Sequence, residues 1–217
     1  RVRVIAVGTG QAIKNSKNCD GDVLIAHSKL DEVQFVKEGF GLYRKDLMYN
    51  DFVIVGPNHN PAKINNSDSL KDVLRKIANS NVTFISRADN SGTHKAELRL
   101  WNYAKINISK LKSSTNYKEV GLGMGATLNV SVQLDAYTLS DRGTWFTFNN
   151  KLNHKIIFQN NTNLFNQYGI VAINPKHCKN VKSDYAENFI NWLVSHEGQK
   201  NINSFKIKDQ QIFFSNY

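Results

Sequence analysis

The segment VTFISRADNSGTHKAELRLW, residues 82–101, places a strand pattern, a small polar loop and a helix pattern in succession. Residues 82–85 are apolar and rich in β-branched side chains, which favours a strand. The second half carries the apolar residues of a helix pattern, at Ala96, Leu98, Leu100 and Trp101. The segment therefore predicts a strand, a loop and a helix in that order, which is the repeating unit of an α/β fold.

The same alternation of strand and helix patterns continues along the rest of the chain, as expected for an α/β fold. Strands are predicted at residues 2–7, 23–26, 51–55, 137–139 and 168–173. Helices are predicted at residues 11–18, 31–38, 70–78, 126–134 and 185–205. Ser67 or Asp68 is expected to cap the third helix, and Gly198 is expected to interrupt the last one. The 217 residues are enough for two lobes of about 100 residues each.

The composition favours a folded protein with an anionic partner. Apolar residues make up 41% of the chain, so a sizeable core can form. The formal net charge of +10 is compatible with nucleic acid, an acidic membrane surface or a small oxyanion as the partner. The lysines are scattered and no nucleic-acid-binding motif is present, so we expect no nucleic acid. No run of about 18 apolar residues is present, so no segment is expected to span a membrane.

Two cysteines, Cys19 and Cys178, lie far apart in the sequence. In an oxidising compartment they would form one disulfide, and otherwise they would be two buried thiols. The sequence leaves both alternatives open. No set of cysteines and histidines has the spacing of a metal site, so we expect no bound metal ion.

The loop that links the strand to the helix in residues 82–101 has the composition of an anion site. A helix that follows such a loop begins with backbone N–H groups that lack partners, and its dipole favours negative charge. Ser91 and Thr93 add hydroxyl donors, and Gly92 permits close approach to the backbone. Arg87 adds a fork of charged donors. The alternative is an ordinary turn, in which Asp89 or Ser91 caps the helix and Arg87 pairs with Asp89.

Two further turns have a similar composition. Gly8-Thr9-Gly10 offers a hydroxyl with flexible backbone on each side, between a predicted strand and a predicted helix. It lacks the lysine of a P-loop and the spacing of a dinucleotide motif, so a nucleotide is not expected. The turn at residues 121–125 either adds backbone N–H groups or is only a tight turn before a buried helix. The first turn could likewise be an ordinary loop, but together with the Arg87 loop it predicts an anion held between two lobes.

These turns occur in an order that resembles a known family. The segments that carry the resemblance are AVGTGQA at 6–12, DVLIAHS at 22–28, LMYNDFVIVGP at 47–57, FISRADNSGTHKAELRLW at 84–101, GMGATLN at 123–129, YTLSDRGTW at 137–145, FNQYGIVAINP at 165–175 and NFINWLVSHEGQ at 188–199. Together they resemble the tungstate-binding proteins that serve ABC importers. The R-x-D-x-S-G-T pattern of residues 87–93 is also similar to the anion loop of phosphate-binding proteins.

The resemblance implies the two-lobed α/β fold of type II periplasmic-binding proteins, with a ligand cleft between the lobes. Lobe I would contain residues 1–52 and 168–217, and lobe II would contain residues 53–167. The strands at 51–55 and 168–173 would connect the two lobes. Members of the family begin with a further strand and an anion-binding turn, which this sequence does not contain. If both are absent from the protein, anion binding is expected to be weakened or lost, and if they precede residue 1, the site is expected to be complete.

The resemblance also implies a function. The chain would capture tungstate in the cleft and deliver it to the membrane permease of an ABC importer, in the periplasm or at the cell surface. We expect a monomer without a cofactor. The alternative ligands are molybdate, which is nearly equal to tungstate in size and charge, and phosphate, whose binding proteins have a similar loop.

Position by position, the resemblance implies an oxyanion site formed by Thr9, Arg87, Ser91, Gly92, Thr93 and Thr127. Thr9 would act from lobe I, and Arg87 would supply charge and tune selectivity among similar oxyanions. Tungstate is fully deprotonated at neutral pH, so a carboxylate that faced it would repel it. Asp89 is therefore predicted to orient Arg87 or to cap the helix. Asp141 and Arg142 are predicted to have structural roles.

An enzyme built on the same segment would need Ser91 as a nucleophile and His94 as its base. The G-x-S-x-G pattern is missing, and no acid is evidently placed to orient His94. We therefore expect a binding protein with no catalytic residue.

Overall fold

The structure is a computed structural model that describes residues 1–217. The chain forms two compact units. Unit 1 contains Arg1–Asn50 and Asn166–Tyr217, and unit 2 contains Asp51–Phe165. The chain enters unit 2 within a long strand, between Asn50 and Asp51, and returns to unit 1 between Phe165 and Asn166.

Helices and strands alternate through most of the chain. The α-helices are α1 Thr9–Lys17, α2 Lys29–Lys37, α3 Leu70–Asn79, α4 Gly92–Tyr103, α5 Ile108–Lys112, α6 Met124–Gln133, α7 Arg142–Thr147, α8 Ser183–Val194 and α9 His196–Ser204. The strands are β1 Val23–Ala26, β2 Gly41–Pro57, β3 Phe84–Ser86, β4 Tyr117–Glu119, β5 Tyr137–Asp141, β6 His154–Phe158, β7 Phe165–Ile173, β8 Lys206–Ile207, β9 Gln210–Gln211 and β10 Phe214–Ser215. A 3-10 helix covers Thr162–Leu164. None of the helices combines the length and the apolar character that crossing a membrane requires.

Unit 1 is built on strand β7, which lies between β1 and β2. Strand β1 runs antiparallel to β7, with Val23 opposite Ala172, and β10 pairs with β2 through Phe214 and Tyr49. Apolar side chains of β7 pack in two clusters, one with Phe35 of α2 and the other containing residues of α8. The second half of β7, residues 169–173, is a continuous run without polar side chains because all of these residues are buried.

Unit 2 is built on strand β3, which lies between β4 and β5 and runs parallel to both. Strands β5 and β6 pair antiparallel with the second half of β2. The largest fully buried side chains of this unit include Trp101 and Tyr137. Parallel strands end at the same edge of a sheet, so the loops after β3, β4 and β5 all leave from one edge. We call it the carboxyl edge of unit 2.

The predicted strand at residues 2–7 is wrong. Residues 1–8 have no regular secondary structure, and helix α1 begins at Thr9. The apolar residues of this segment are all exposed: Val2, Val4, Ile5 and Val7. An alternating apolar pattern indicates a strand only where another strand supplies hydrogen-bond partners, and this segment pairs with none.

Two helix starts have a different cap from the one expected. Ser69 caps α3, because its Oγ accepts a hydrogen bond from the backbone N–H of Asp72 at 3.2 Å. Asp68 is instead bonded to the backbone N–H of Asn65 and to Lys76. The C-terminal helix is interrupted at Ser195, which caps α9, rather than at Gly198. The new helix begins after Ser195 because the extended backbone and side-chain oxygen of Ser195 form an N-cap. Gly198 lies in the first turn and has no side chain that could form one.

Cys19 and Cys178 form a disulfide, with their Cα atoms 5.3 Å apart. The structure thus decides between the two alternatives that the sequence left open. The bond ties the end of α1 to the segment that follows β7, and Cys178 is completely buried. Because α1 begins at Thr9, the disulfide also restrains the helix that carries one of the predicted site residues.

Candidate anion-binding site

Helix α4 begins at the carboxyl edge of unit 2, immediately after the loop that follows β3. Ser91 is its N-cap, and its Oγ accepts a hydrogen bond from the backbone N–H of His94 at 3.2 Å. The first main-chain bond of the helix runs from Lys95 N to Ser91 O. The backbone N–H groups of Gly92 and Thr93 therefore have no partner in the protein, although both residues are buried. These N–H groups lie at the positive end of the helix dipole, where negative charge is favoured.

Asp89 connects Arg87 to the start of this helix. Its Oδ2 accepts from Nε and from Nη2 of Arg87, each at 2.9 Å, and its Oδ1 accepts from the backbone N–H of Ser91 at 3.1 Å. The prediction that Asp89 orients Arg87 is confirmed. The guanidinium keeps further N–H donors, including both of Nη1, that no protein group accepts.

The same loop contains two residues in the left-handed backbone region, Ala88 at φ 50° and Asn90 at φ 59°. Asparagine tolerates this conformation, whereas alanine is disfavoured in it by on the order of 1 kcal/mol. The loop keeps its strained shape because hydrogen bonds fix it at both ends of the Ala88–Asn90 stretch. Asp89 accepts hydrogen bonds from Arg87 and from the backbone N–H of Ser91. His94 Nδ1 accepts one from the backbone N–H of Asn90.

The buried carboxylate of Glu97 connects helix α4 to the strand that precedes the loop. Glu97 of α4 accepts hydrogen bonds from Ser86 Oγ at 2.7 Å, from Tyr117 OH at 2.6 Å and from Trp101 Nε1 at 2.9 Å. Burial raises the pKa of Glu97, against the lowering effect of these three donors. Ser86 directly precedes Arg87, so Glu97 anchors the helix to the residue from which the loop departs. Sequence reasoning missed Glu97; the available signal was an acidic residue within the apolar face of a predicted helix.

Both donors of Thr127 are engaged within the protein. Its backbone N–H donates to Gly123 O at 3.0 Å, and its hydroxyl donates to the same oxygen at 3.1 Å. The amides of Met124, Gly125 and Ala126, in the first turn of α6, have no protein partner. Helix α6 also starts from the carboxyl edge of unit 2, shortly after β4. Of the donors in this turn, only the amides before Thr127 remain for a ligand.

Asp141 and Arg142 lie at the same edge but are bonded within the protein. Asp141 caps α7 by accepting from the backbone N–H of Thr144 at 2.8 Å. Arg142 donates through Nε and Nη2 to both oxygens of Asp51, at 2.6 and 2.5 Å. These contacts are structural, as the sequence predicts.

In unit 1, Thr9 is the first residue of α1 and is only 3% exposed. Its Oγ1 is buried and has no hydrogen-bond partner. The N-cap is Gly8, which has no side chain to bind the first turn, and the first helical bond runs from Ala12 N to Gly8 O. The amides of Thr9, Gly10 and Gln11 are therefore also unpaired. A buried hydroxyl without a partner is rare in folded proteins, and at a helix N-terminus it indicates a site for an acceptor.

His94 is held in a neutral form that stabilises the loop. Its Nδ1 accepts a hydrogen bond from the backbone N–H of Asn90 at 3.2 Å, which requires the proton to be on Nε2. Burial lowers the pKa of His94, and Lys112 and Lys95 lower it further, while Asp89 and Glu119 raise it. Ser91 Oγ is bonded to the backbone of His94 and not to its ring. The two residues therefore do not form a nucleophile and base pair.

Known proteins match this chain over almost its full length. The model of the PBP superfamily domain matches residues 1–197. The tungstate-binding protein TupA of Peptoclostridium acidaminophilum is 42% identical over 205 residues, which cover 94% of this chain and 70% of that protein. The chain belongs to this family of tungstate-binding proteins within the PBP superfamily.

Solved structures of the family have the same fold. The tungstate-binding protein TupA from Desulfovibrio alaskensis G20 has a TM-score of 0.83 and 42% identity, covering 99% of this chain and 86% of that one. The tungstate ABC transporter structure from Geobacter sulfurreducens has a TM-score of 0.83 and 44% identity, covering 94% and 85%. These matches confirm the predicted type II periplasmic-binding fold. They also confirm the prediction of a binding protein rather than an enzyme, because these relatives are named as binding and transport proteins.

Lowering the pH should reduce the free energy of unfolding through the protonation of His94. The folded state lowers the pKa of this residue below its ordinary value of 6.5, so the unfolded chain binds a proton at a higher pH than the folded chain does. The contribution of His94 to stability is therefore present above about pH 6.5 and is lost as the pH falls. Urea unfolding between about pH 7.5 and about pH 5 measures this loss. His94→Gln keeps an acceptor that cannot be protonated and should show a smaller loss, whereas His196→Gln, at an exposed position, should behave as the native protein. An unchanged pH dependence in His94→Gln would contradict the role of His94.

Proposed function

We propose that this chain binds tungstate reversibly and delivers it to the membrane permease of an ABC importer. The observation that carries the proposal is a set of buried donors without partners in each unit. Unit 1 supplies the Thr9 hydroxyl and the first amides of α1, and unit 2 supplies the amides of Gly92 and Thr93 with Arg87 beside them. Membership of the tungstate-binding family supports tungstate as the anion that these donors take.

The donors suit an anion that carries no proton. Tungstate offers only acceptors, and each unpaired N–H or hydroxyl can donate to one of its oxygens. Arg87 supplies the positive charge, and its pairing with Asp89 fixes the direction of the guanidinium. Both oxygens of Asp89 are already occupied by Arg87 and Ser91, so its carboxylate is neutralised by protein groups. We propose Thr9, Arg87, Ser91, Gly92 and Thr93 as the binding residues, with the first amides of α6 preferred to Thr127.

The disulfide supports a location outside the reducing cytosol, in the periplasm or at the cell surface. Two chain connections join the two units within one chain, and the proposed binding cycle needs no second copy of the chain. Anion binding would bias the protein toward a closed state that the permease recognises. No cofactor enters this cycle, because the ligand is bound and released without chemical change.

Molybdate and phosphate are the competing ligands. Phosphate carries at least one proton at neutral pH, and a site specific for it gains from a free carboxylate that accepts a hydrogen bond from that proton. The carboxylate bonded to Arg87 is that of Asp89, and each of its oxygens already accepts a hydrogen bond from the protein. This arrangement favours a fully deprotonated oxyanion over phosphate. Molybdate has the same charge and nearly the same size as tungstate, so only the family separates the two.

Calorimetric titration of the protein with tungstate, molybdate, sulfate and phosphate tests the proposal. Tungstate should bind most tightly, molybdate close to it, and phosphate weakly or not at all. Tight phosphate binding without tungstate binding would overturn the proposed function.

Arg87→Ala should weaken tungstate binding by roughly 10- to 100-fold, because a charge-assisted hydrogen bond contributes about 1.5–3 kcal/mol. Arg142→Ala is the matched control: it removes a guanidinium from the same edge, but one that is bonded to Asp51. This control should lower stability and leave the dissociation constant almost unchanged. Equal losses of affinity in the two variants would remove Arg87 from the site.

Thr9→Val should separate binding from stability. Valine has the shape of threonine without the hydroxyl, and that hydroxyl is buried without a partner in the free protein. Removing an unpaired buried polar group should leave the free energy of unfolding unchanged or increase it. Tungstate affinity should fall by about tenfold, because one donor is lost. A variant with native affinity would show that the Thr9 hydroxyl does not contact the anion.

A further inference from the structure

Glu97 is a buried ionisable group close to the anion loop that the proposed function does not use. It is only 3% exposed and belongs to α4, the helix that begins with the unpaired amides of Gly92 and Thr93. A helix rises about 1.5 Å per residue, so Glu97 lies about 6–8 Å along the axis from those two residues. Side chains of a helix lean toward its N-terminus, which brings the carboxyl group nearer to the unpaired amides.

The contact of Glu97 with β3 places its carboxyl group near the other donor of the site as well. Oε2 accepts a hydrogen bond from Ser86 Oγ at 2.7 Å, and Ser86 is followed directly by Arg87. The three side chains that donate to this carboxylate, those of Ser86, Trp101 and Tyr117, are all neutral. An ionised Glu97 therefore places a negative charge close to the position of the proposed dianion, and its hydrogen-bond donors do not neutralise that charge.

The hydrogen bonds of Glu97 can be kept with or without a proton on its carboxyl group. In the ionised form, Ser86, Trp101 and Tyr117 all donate to it. In the protonated form, Oε2–H donates to Ser86 Oγ, and the Ser86 proton turns to the hydroxyl of Tyr117, with which Ser86 also interacts. Trp101 and Tyr117 continue to donate to Oε1. Protonation thus leaves no polar group of this cluster without a partner.

The surroundings of Glu97 favour the protonated form. Burial raises the pKa of Glu97 and is the largest influence on it, and the carboxylate of Glu119 on β4 raises it further. Glu119 itself pairs with Lys112 of α5 at 2.6 Å. Tyr117, also on β4, stays neutral because burial and Glu97 raise its pKa. One turn before Glu97 on α4, burial lowers the pKa of His94, so this histidine is neutral as well.

The other elements that pack against α4 turn no charged side chain toward Glu97. On β5 the titratable residue is Tyr137, whose pKa burial raises and whose hydroxyl is bonded to Asn60. Helix α6 contains no ionisable residue. The buried side chains of α3 and α5 are all apolar: Leu70, Val73, Leu74, Ile77 and Leu111. Glu97 is therefore the titratable group in this part of unit 2 whose charge a bound anion would change.

A dianion at the start of α4 repels an ionised carboxylate at this distance and so favours its protonated form. We propose that Glu97 takes up a proton from the solvent when tungstate binds to Arg87 and the first amides of α4. This inference rests on the proposed function and adds a form of regulation to the same site. Coupling between two binding events is reciprocal, so protonation of Glu97 strengthens tungstate binding.

Calorimetric titration of the native protein with tungstate, from about pH 9 to about pH 6.5, measures this coupling. The affinity should rise by about tenfold in total as the pH falls. Titrations at one pH in two buffers of different ionisation enthalpy should give different heats of binding, and the difference should correspond to proton uptake. Tungstate is deprotonated throughout this range, and the pKa of His94 lies below its ordinary value of 6.5, so neither accounts for the uptake.

Glu97→Gln assigns the proton to this residue. The amide oxygen still accepts from Trp101 and Tyr117, and the amide nitrogen can donate to Ser86 Oγ, so the hydrogen bonds persist without a charge at any pH. The variant should bind tungstate with a pH-independent affinity, equal to that of the native protein at about pH 6.5 and about tenfold tighter than it at about pH 9. A purely structural role of Glu97 predicts weaker binding at every pH.

Glu119→Gln is the matched control, because it removes the same charge from a more exposed position on β4 and should keep the pH dependence. Thermal unfolding checks that both variants fold. If Glu97→Gln does not fold, the ¹³C carboxyl signal of Glu97 in the native protein replaces it and should move toward the protonated position when tungstate is added.

Native affinity that stays constant over this pH range without proton uptake would overturn the inference. A Glu97→Gln variant with the native pH dependence, or an unmoved Glu97 carboxyl signal, would do the same. Each of these results leaves tungstate binding intact and so concerns the coupling alone. A native protein that binds no tungstate at any pH would overturn the proposed function and this inference with it.

Discussion

Backbone N–H groups without protein partners at the starts of two helices are the constraint on which the candidate site depends. Helix α4 starts with two of them, at the buried residues Gly92 and Thr93, and α1 starts with three, beginning at the buried Thr9. Leaving a buried N–H group unpaired costs free energy in the empty protein, and a bound anion recovers it. The local structure keeps them unpaired. The Ser91 side chain accepts a hydrogen bond only from the third amide of α4, that of His94, and Gly8 has no side chain that could accept one from α1.

A second layer of contacts holds these donors in place. Asp89 fixes Arg87 and the start of α4 together, and His94 holds the backbone of Asn90 between them. Glu97 connects the body of the helix to β3, next to the point where the loop begins. The carboxylates of Asp89 and Glu97 are therefore engaged with the protein, and the unpaired groups at the start of α4 are donors. This division favours an acceptor-only ligand and explains how a loop containing an aspartate can face a dianion.

The sequence predicts those structural features whose contacts lie between residues that are close together in the chain. The strand–loop–helix segment at residues 82–101 and the structural role of Asp89 follow from local composition, since their partners lie within a few positions. Residues 2–7 show the limit, because an alternating pattern does not reveal whether a partner strand exists. The disulfide and the Tyr117 contact of Glu97 both join residues that are distant in sequence. No local pattern predicts such contacts, and the family resemblance supplied ligand identity that the residues alone leave open.

The central claim is that tungstate is bound by the unpaired amides at the start of α4 together with Arg87. Crystals grown with tungstate and measured at a tungsten absorption edge would locate the metal atom directly, without reference to affinity. The account predicts a single strong anomalous peak from a tungstate ion whose oxygens lie about 3 Å from the amides of Gly92 and Thr93. A peak elsewhere on the chain, or one that contacts Asp51 and Arg142 but not Ser91, would contradict it.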